Sequence, residues 1–138
     1  MRIAPDEARL RLETARVARL ATISPDGQPH VVPVTFAVEG DVIYTAVDAK
    51  PKRTPRLQRL SNIRASPRVT VLADHYDEDW SALWWTRADG LATVVDDEAG
   101  MTAPIRLLTA RYPQYTRNPP AGPVIAIRVL HWTGWSAT

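Results

Sequence analysis

Along this 138-residue chain the spacing of apolar positions changes period several times, and each change marks an element. Residues 4–17 carry Leu10, Val17 and several alanines at helical spacing. Pro5 suits a first turn, and Asp6 and Glu7 favour the positive end of a helix. The period then shortens. ARLATIS (18–24) and PHVVPVTFAVE (29–39) alternate as strands do, joined by the turn-forming Pro25-Asp26-Gly27-Gln28. Glu39-Gly40-Asp41 turns the chain into VIYTAV (42–47), so three successive strands predict an antiparallel meander.

Thr54 and Pro55 read as the cap and first residue of a helix through about Ser66, with Leu57, Leu60 and Ile63 as its apolar stripe and Asn62 beside them. Arg56 and Arg59, three apart, share a face near its start. Strand periodicity returns over RVTVLADHY (68–76) and over SALWWTRADGLATVVD (81–96), the second broken near Asp89-Gly90. Residues 102–112 predict a helix ended by Pro113, residues 117–122 a proline-rich loop, and PVIAIRVLHWTGW (123–135) a last strand. This order is neither a βαβ repeat nor a bundle. It predicts one domain over residues 1–138, mainly β with peripheral helices: a small antiparallel barrel of the α+β class.

Composition alters this picture in one place. Net charge is only +2, yet Lys50 to Val69 holds seven cations (Lys50, Lys52, Arg53, Arg56, Arg59, Arg64, Arg68) and no acid. Both lysines of the chain lie there. DHYDED (74–79) is the acidic counterpart. So segregated a charge, at a strand end and an expected helix start, suits a local anion; helix N-termini add unpaired N–H groups and a favourable dipole. The small net charge and the acidic run argue against nucleic acid as the partner. Three charge-assisted hydrogen bonds at ~1.5–3 kcal/mol each, with burial of a ring, reach the ~8 kcal/mol of a micromolar ligand.

Much chemistry has no machinery here. Cysteine is absent, and His30, His75 and His131 lie far apart and form no HxxxH pair. There is no GxSxG elbow, no GxGxxG and no phosphate loop of the GxxxxGK type. The first twenty residues lack a signal-peptide core and no apolar run spans a bilayer, which predicts a cytoplasmic protein without a membrane partner. An enzyme without catalytic acids, bases or metals on display borrows its chemistry from a cofactor.

ATISPDGQPHVVPVTF, then VIYTAV, a basic stretch, RLSNIRASPRVTVLAD and a tryptophan-bearing strand resemble the pyridoxamine-phosphate-oxidase-like split β-barrel family of FMN- or deazaflavin-binding proteins. The longer run RLQRLSNIRASPRVTVLADHYDEDWSALWWTRADG is similar to actinobacterial members classed as coenzyme F420-dependent oxidoreductases. The resemblance implies an FMN-binding-protein-like split barrel that forms homodimers, with cofactors in clefts at the interface. It implies F420 as the cofactor, FMN as the alternative, and hydride transfer with a small organic acceptor; a non-catalytic cofactor carrier is the further alternative. Arg59 takes the place of the family's usual phosphate-binding lysine, with Lys50, Lys52, Arg53 and Arg56 where other contacts to the cofactor tail fall. Val32, Pro33, Val34 and Thr45 match strand positions beside the flat ring, although Val32 to Val34 suit plain barrel core equally. Trp80, Trp84 and Trp85 are candidates for a substrate pocket or an interface, and Trp132 and Trp135 for packing. No acid or base is singled out; Tyr44, His30 or a water would serve as proton donor.

Overall fold

A computed structural model describes residues 1–48 and 57–138 of the chain. Lys50, Lys52, Arg53 and Arg56, and the expected Thr54-Pro55 helix start, lie outside the described residues.

Among the described residues, α1 (Pro5–Thr14) leads into β1 (Ala18–Ile23), β2 (Pro29–Val34), β3 (Ala37–Glu39) and β4 (Val42–Ala46). Then come α2 (Gln58–Ala65), β5 (Arg68–His75), a 3-10 turn (Trp80–Ala82), β6 (Trp84–Val95), α3 (Glu98–Arg111), α4 (Gln114–Arg117) and β7 (Val124–Ser136). All strands pair antiparallel in one seven-stranded sheet of order β2-β1-β5-β6-β7-β4-β3. The two edges of that sheet are consecutive in sequence, so the chain steps from one to the other through Thr35 and Phe36 alone. The sheet is therefore curled into a split barrel.

This corrects the expected meander. Residues 29–39 are two strands: β2 pairs with β1, Ala18 opposite Val34, while β3 pairs with β4, Ala37 opposite Tyr44. The alternating pattern runs unbroken through the step, because Val34 and Phe36 are both buried in the one core while facing different strands.

The helices also begin or end elsewhere than expected. α1 stops at Thr14, not at 17, because Ala15 is extended (φ −70°, ψ 143°) and its carbonyl accepts a hydrogen bond from the Arg111 guanidinium. α3 starts at Glu98, before the expected 102, because the Asp97 carboxylate accepts the Gly100 N–H at 2.8 Å and caps the helix. α4 occupies part of the sequence between Pro113 and the proline-rich stretch.

The core lies inside the curl. Leu12, Leu20, Phe36, Ile43, Val71, Ile125 and Ile127 are essentially inaccessible, each burial being worth ~1.5–3 kcal/mol. α1 closes one opening: Thr86 Oγ1 on β6 donates to the Ala8 carbonyl at 2.7 Å. α2 closes another through a polar contact, Gln58 to Asn62 at 2.7 Å and Asn62 to Thr22 on β1 at 2.9 Å. Asn62 is fully buried, so these partners stop its amide from being a liability. Near Asp89/Gly90 the β6–β7 register shifts by a bulge, and a Cβ on Gly90 would sit 2.4 Å from the Arg128 carbonyl oxygen. Only glycine fits that approach. Among the described residues no helix is long and apolar enough to cross a membrane.

Candidate functional site

The step between the sheet edges is also where the chain builds a cleft. Tyr112, in the turn after α3, receives the Phe36 N–H at its hydroxyl (3.0 Å); that hydroxyl also lies 2.9 Å from the Arg16 carbonyl and 3.0 Å from the Phe36 carbonyl, the two acceptors for its own proton. Arg111 donates to the Phe36 carbonyl at 2.8 Å and to the Ala15 carbonyl, its guanidinium lying 4.6 Å from the centre of the Phe36 ring. Burial pushes the Arg111 guanidinium below the ordinary arginine value. Backbone groups freed by the strand break thus find side-chain partners, as buried backbone must.

Two compartments open beside this staple. The smaller, about 190 Å³, is bordered by Pro33 and Val34 at the end of β2, Thr45 and Ala46 on β4, Asp48, and Arg59 on α2. The larger, about 680 Å³, lies towards α4 and is bordered by Arg16, Tyr112, Pro113, Gln114 and Asn118. Val17, Thr35, Asp48 and Tyr115 line both, so the two form one cleft. The larger compartment has the size of a small-molecule site.

At the junction stands a chain of hydroxyls. The Tyr115 hydroxyl donates to Asp48 Oδ1 at 3.1 Å, and Thr35 Oγ1 lies 2.6 Å from the same phenol oxygen. With its proton directed at Asp48, the phenol accepts from Thr35. Thr45 Oγ1 donates to the Thr35 carbonyl at 2.7 Å and so helps hold the wall. Burial pushes the Tyr115 phenol up; the Thr35 contact opposes this, while the Asp48 charge and hydrogen bond, and Tyr112, push it further up. Tyr115 therefore stays a neutral donor over the ordinary pH range. Burial pushes Arg59 below the usual arginine value and the Asp48 charge pushes it back, so the two feel each other across the small compartment. Among the described residues Arg59 forms no ion pair within 4.0 Å.

Of the residues singled out from sequence, Pro33, Val34, Thr45 and Arg59 come together in the small compartment. Val32, on the same inward strand face as Val34, is half-buried and packs against the core without lining the cleft. His30 borders the Ser24–Gln28 turn and Tyr44 pairs with Ala37; neither lines the cleft. Trp84 packs on the core, Trp85 lies under Arg87 (5.7 Å), and Trp80 is 74% exposed on the β5–β6 loop. Trp132 donates to Asp41 at 2.9 Å and packs inward, whereas Trp135, expected to pack, is 36% exposed on the outer face. Thr35, Asp48, Tyr112 and Tyr115 were not foreseen. The one signal for them was the aromatic pair Tyr112/Tyr115 just after a helix, edge to face at 5.7 Å.

An antiparallel sheet curled until its consecutive edges meet, with a cleft at the seam, defines a split-barrel protein. The chain matches the pyridoxamine 5'-phosphate oxidase family over residues 4–136 and belongs to that family. Among solved structures it is similar to an FAD-binding protein from Mesorhizobium loti, at 23% identity over 97% of this chain and 95% of that one (TM-score 0.75). It is also similar to an F420 reductase, at 27% identity over 92% and 94% of the two chains (TM-score 0.64). An FAD-binding protein from Mycobacterium smegmatis is 18% identical over 98% and 97% (TM-score 0.64). No curated protein matches the chain.

Proposed function

We propose that the protein binds coenzyme F420 in this cleft and passes hydride between the reduced cofactor and a small organic acceptor. The observation that carries the reading is that Arg59 lines the small compartment together with apolar Pro33 and Val34. In sequence the cation-rich stretch Lys50–Arg56 runs between Asp48 and Arg59, two residues that both line that compartment. A planar ring suits the proline and valine surface, and an acidic tail suits the cations. The cleft fits such a group on its donor set: an apolar wall, one cation without an ion-pair partner among the described residues, and a neutral phenol. The similarity to an F420 reductase supports the same reading.

When bound, the cofactor supplies the hydride chemistry. The chain's own part is positioning. Arg59 holds the phosphate, Pro33 and Val34 set the plane of the ring, and Tyr112 keeps the seam closed so that wall positions do not drift. The larger compartment, with Tyr115 at its entrance, receives the acceptor.

A second copy completes the assembly in this reading. The outer sheet face exposes Val31, Ile23, Leu72, Leu130 and Trp135, apolar side chains that a homodimer interface would cover, and Pro33 carries that face to the cleft.

Titration with F420, and separately with FMN, while following the fluorescence of the five tryptophans, tests the reading. F420 is expected to bind, with affinity falling at least tenfold in Arg59→Ala, a lost charge-assisted contact being worth ~1.5–3 kcal/mol. Tighter binding of FMN would move the protein to the flavin branch of the same fold, a reading favoured by its likeness to FAD-binding proteins. No binding of either at tens of micromolar would sink the proposal.

A further inference from the structure

The cleft holds a residue that the proposed anion site does not explain. Asp48 places a carboxylate in the same small compartment as Arg59, where an anionic ligand is to bind. It is not there by looseness. The Tyr115 hydroxyl donates to it at 3.1 Å, Tyr115 is itself tied to Thr35 at 2.6 Å, and Thr35 is fixed at the seam through Thr45. Three elements thus cooperate to hold a negative charge beside the cation.

A fixed negative charge acts on a ligand in proportion to the ligand's own charge. It costs a doubly charged phosphomonoester twice the free energy that it costs a singly charged phosphodiester. We propose that Asp48, held by Tyr115 beside Arg59, is the charge selector of the cleft, setting it against phosphomonoesters and in favour of phosphodiesters. The inference rests on the anion reading above and deepens it. F420 joins its ring to its tail through a phosphodiester, whereas FMN ends in a phosphomonoester. Tyr115 is then a positioning residue: without its hydroxyl the Asp48 carboxylate loses one of its anchors and shifts towards Arg59, where it competes with the ligand.

The test uses FMN and its methyl ester, which share a ring and a phosphate but carry two charges and one at pH about 8, a phosphomonoester having its second pKa near ~6. Binding is read by flavin fluorescence for the full-length protein and for Asp48→Asn, Arg59→Ala, Tyr115→Phe and the Asp48→Asn/Tyr115→Phe double variant. Asparagine keeps an oxygen for Tyr115, so the wall is preserved. If the ester gains about fivefold in Asp48→Asn, FMN gains the square of that factor, about twenty-five-fold. The number of cations is the same before and after the substitution, so the ratio of the two gains reports the one negative charge removed. Tyr115→Phe weakens both ligands severalfold on its own and has no effect in the Asp48→Asn background.

Equal gains for the two ligands, no gain for either, or a Tyr115→Phe loss that persists in the double variant would overturn the selector. Binding that Arg59→Ala leaves unchanged would overturn the anion reading as well. A dependence on Arg59 without discrimination by Asp48 would overturn the selector alone. Failure of Asp48→Asn to bind either ligand would remove both.

Discussion

Two connections in this molecule are built in opposite ways. The Thr35–Phe36 step is held almost entirely by distant residues: Tyr112, Arg111 and Tyr115, 75 to 80 positions further along, reach back to it. The loop between β5 and β6 is held by its own neighbours. Asp77 takes the Asp79 N–H at 2.7 Å, Asp79 takes the Ser81 N–H at 3.0 Å, and His75 meets Asp77 at 2.9 Å. One connection therefore carries the tertiary structure of the cleft wall, and the other satisfies itself and leaves Tyr76 and Trp80 to solvent. A cleft that must keep its shape is better placed at the first kind of connection, since its wall shifts only if the core shifts.

The contrast can be tested by substitution, beginning with the severest case. Phe36→Ala removes a fully buried ring at the step and is expected to cost about 3–5 kcal/mol in urea unfolding. A loss below ~1 kcal/mol would mean that the step is not anchored by the core. Tyr112→Phe keeps the ring but strands the Phe36 N–H; about 1–3 kcal/mol should be lost, together with cleft affinity. Its counterpart Asp79→Ala, in the self-satisfied loop, should leave the unfolding midpoint and cleft affinity unchanged. Equal effects of these two substitutions would erase the distinction drawn between the connections.

The smallest effect is electrostatic. Tyr115 has its folded-state pKa raised above the ordinary 10.0, chiefly by burial. Between the two values the unfolded chain has released the proton and the folded chain has not. The stabilisation is thus complete below about pH 10 and is lost as pH rises through the folded value. Unfolding midpoints measured from neutral to strongly alkaline pH should fall less steeply in Tyr115→Phe than in the parent. Parallel profiles would show that Tyr115 does not feel its surroundings as described.

What could be read in advance followed how local each signal was. Pro25–Gln28 and Glu39–Asp41 announce their hairpins through turn chemistry within a few residues, and Gly27 takes the φ of +89° that such a turn requires. The division of residues 29–39 could not be seen, because alternation continues through Thr35 and nothing local marks the change of partner strand. The early start of α3 is written in the Asp97 cap, and Pro104, a residue better suited to a first turn, lies in the helix interior. Pro33, Val34, Thr45 and Arg59, which line the small compartment together, could be picked out because a resemblance covered their stretch of chain. Asp48 and Tyr115 were not: their pairing spans 67 positions and exists only once the barrel is closed.

The position of β7 has a consequence for how the molecule is made. It is the last strand in sequence, yet it lies between β6 and β4, joining the four-stranded set β2-β1-β5-β6 to the β4-β3 hairpin. A nascent chain that has not released residues 124–136 holds two sheets with no shared ladder between them. Closure of the barrel, and with it the cleft, must wait until β7 has been made and released, which makes folding slow and dominated by distant pairings. Pulse-labelling hydrogen exchange during refolding should accordingly find β4 amides, such as that of Thr45, protected together with β7 and no earlier.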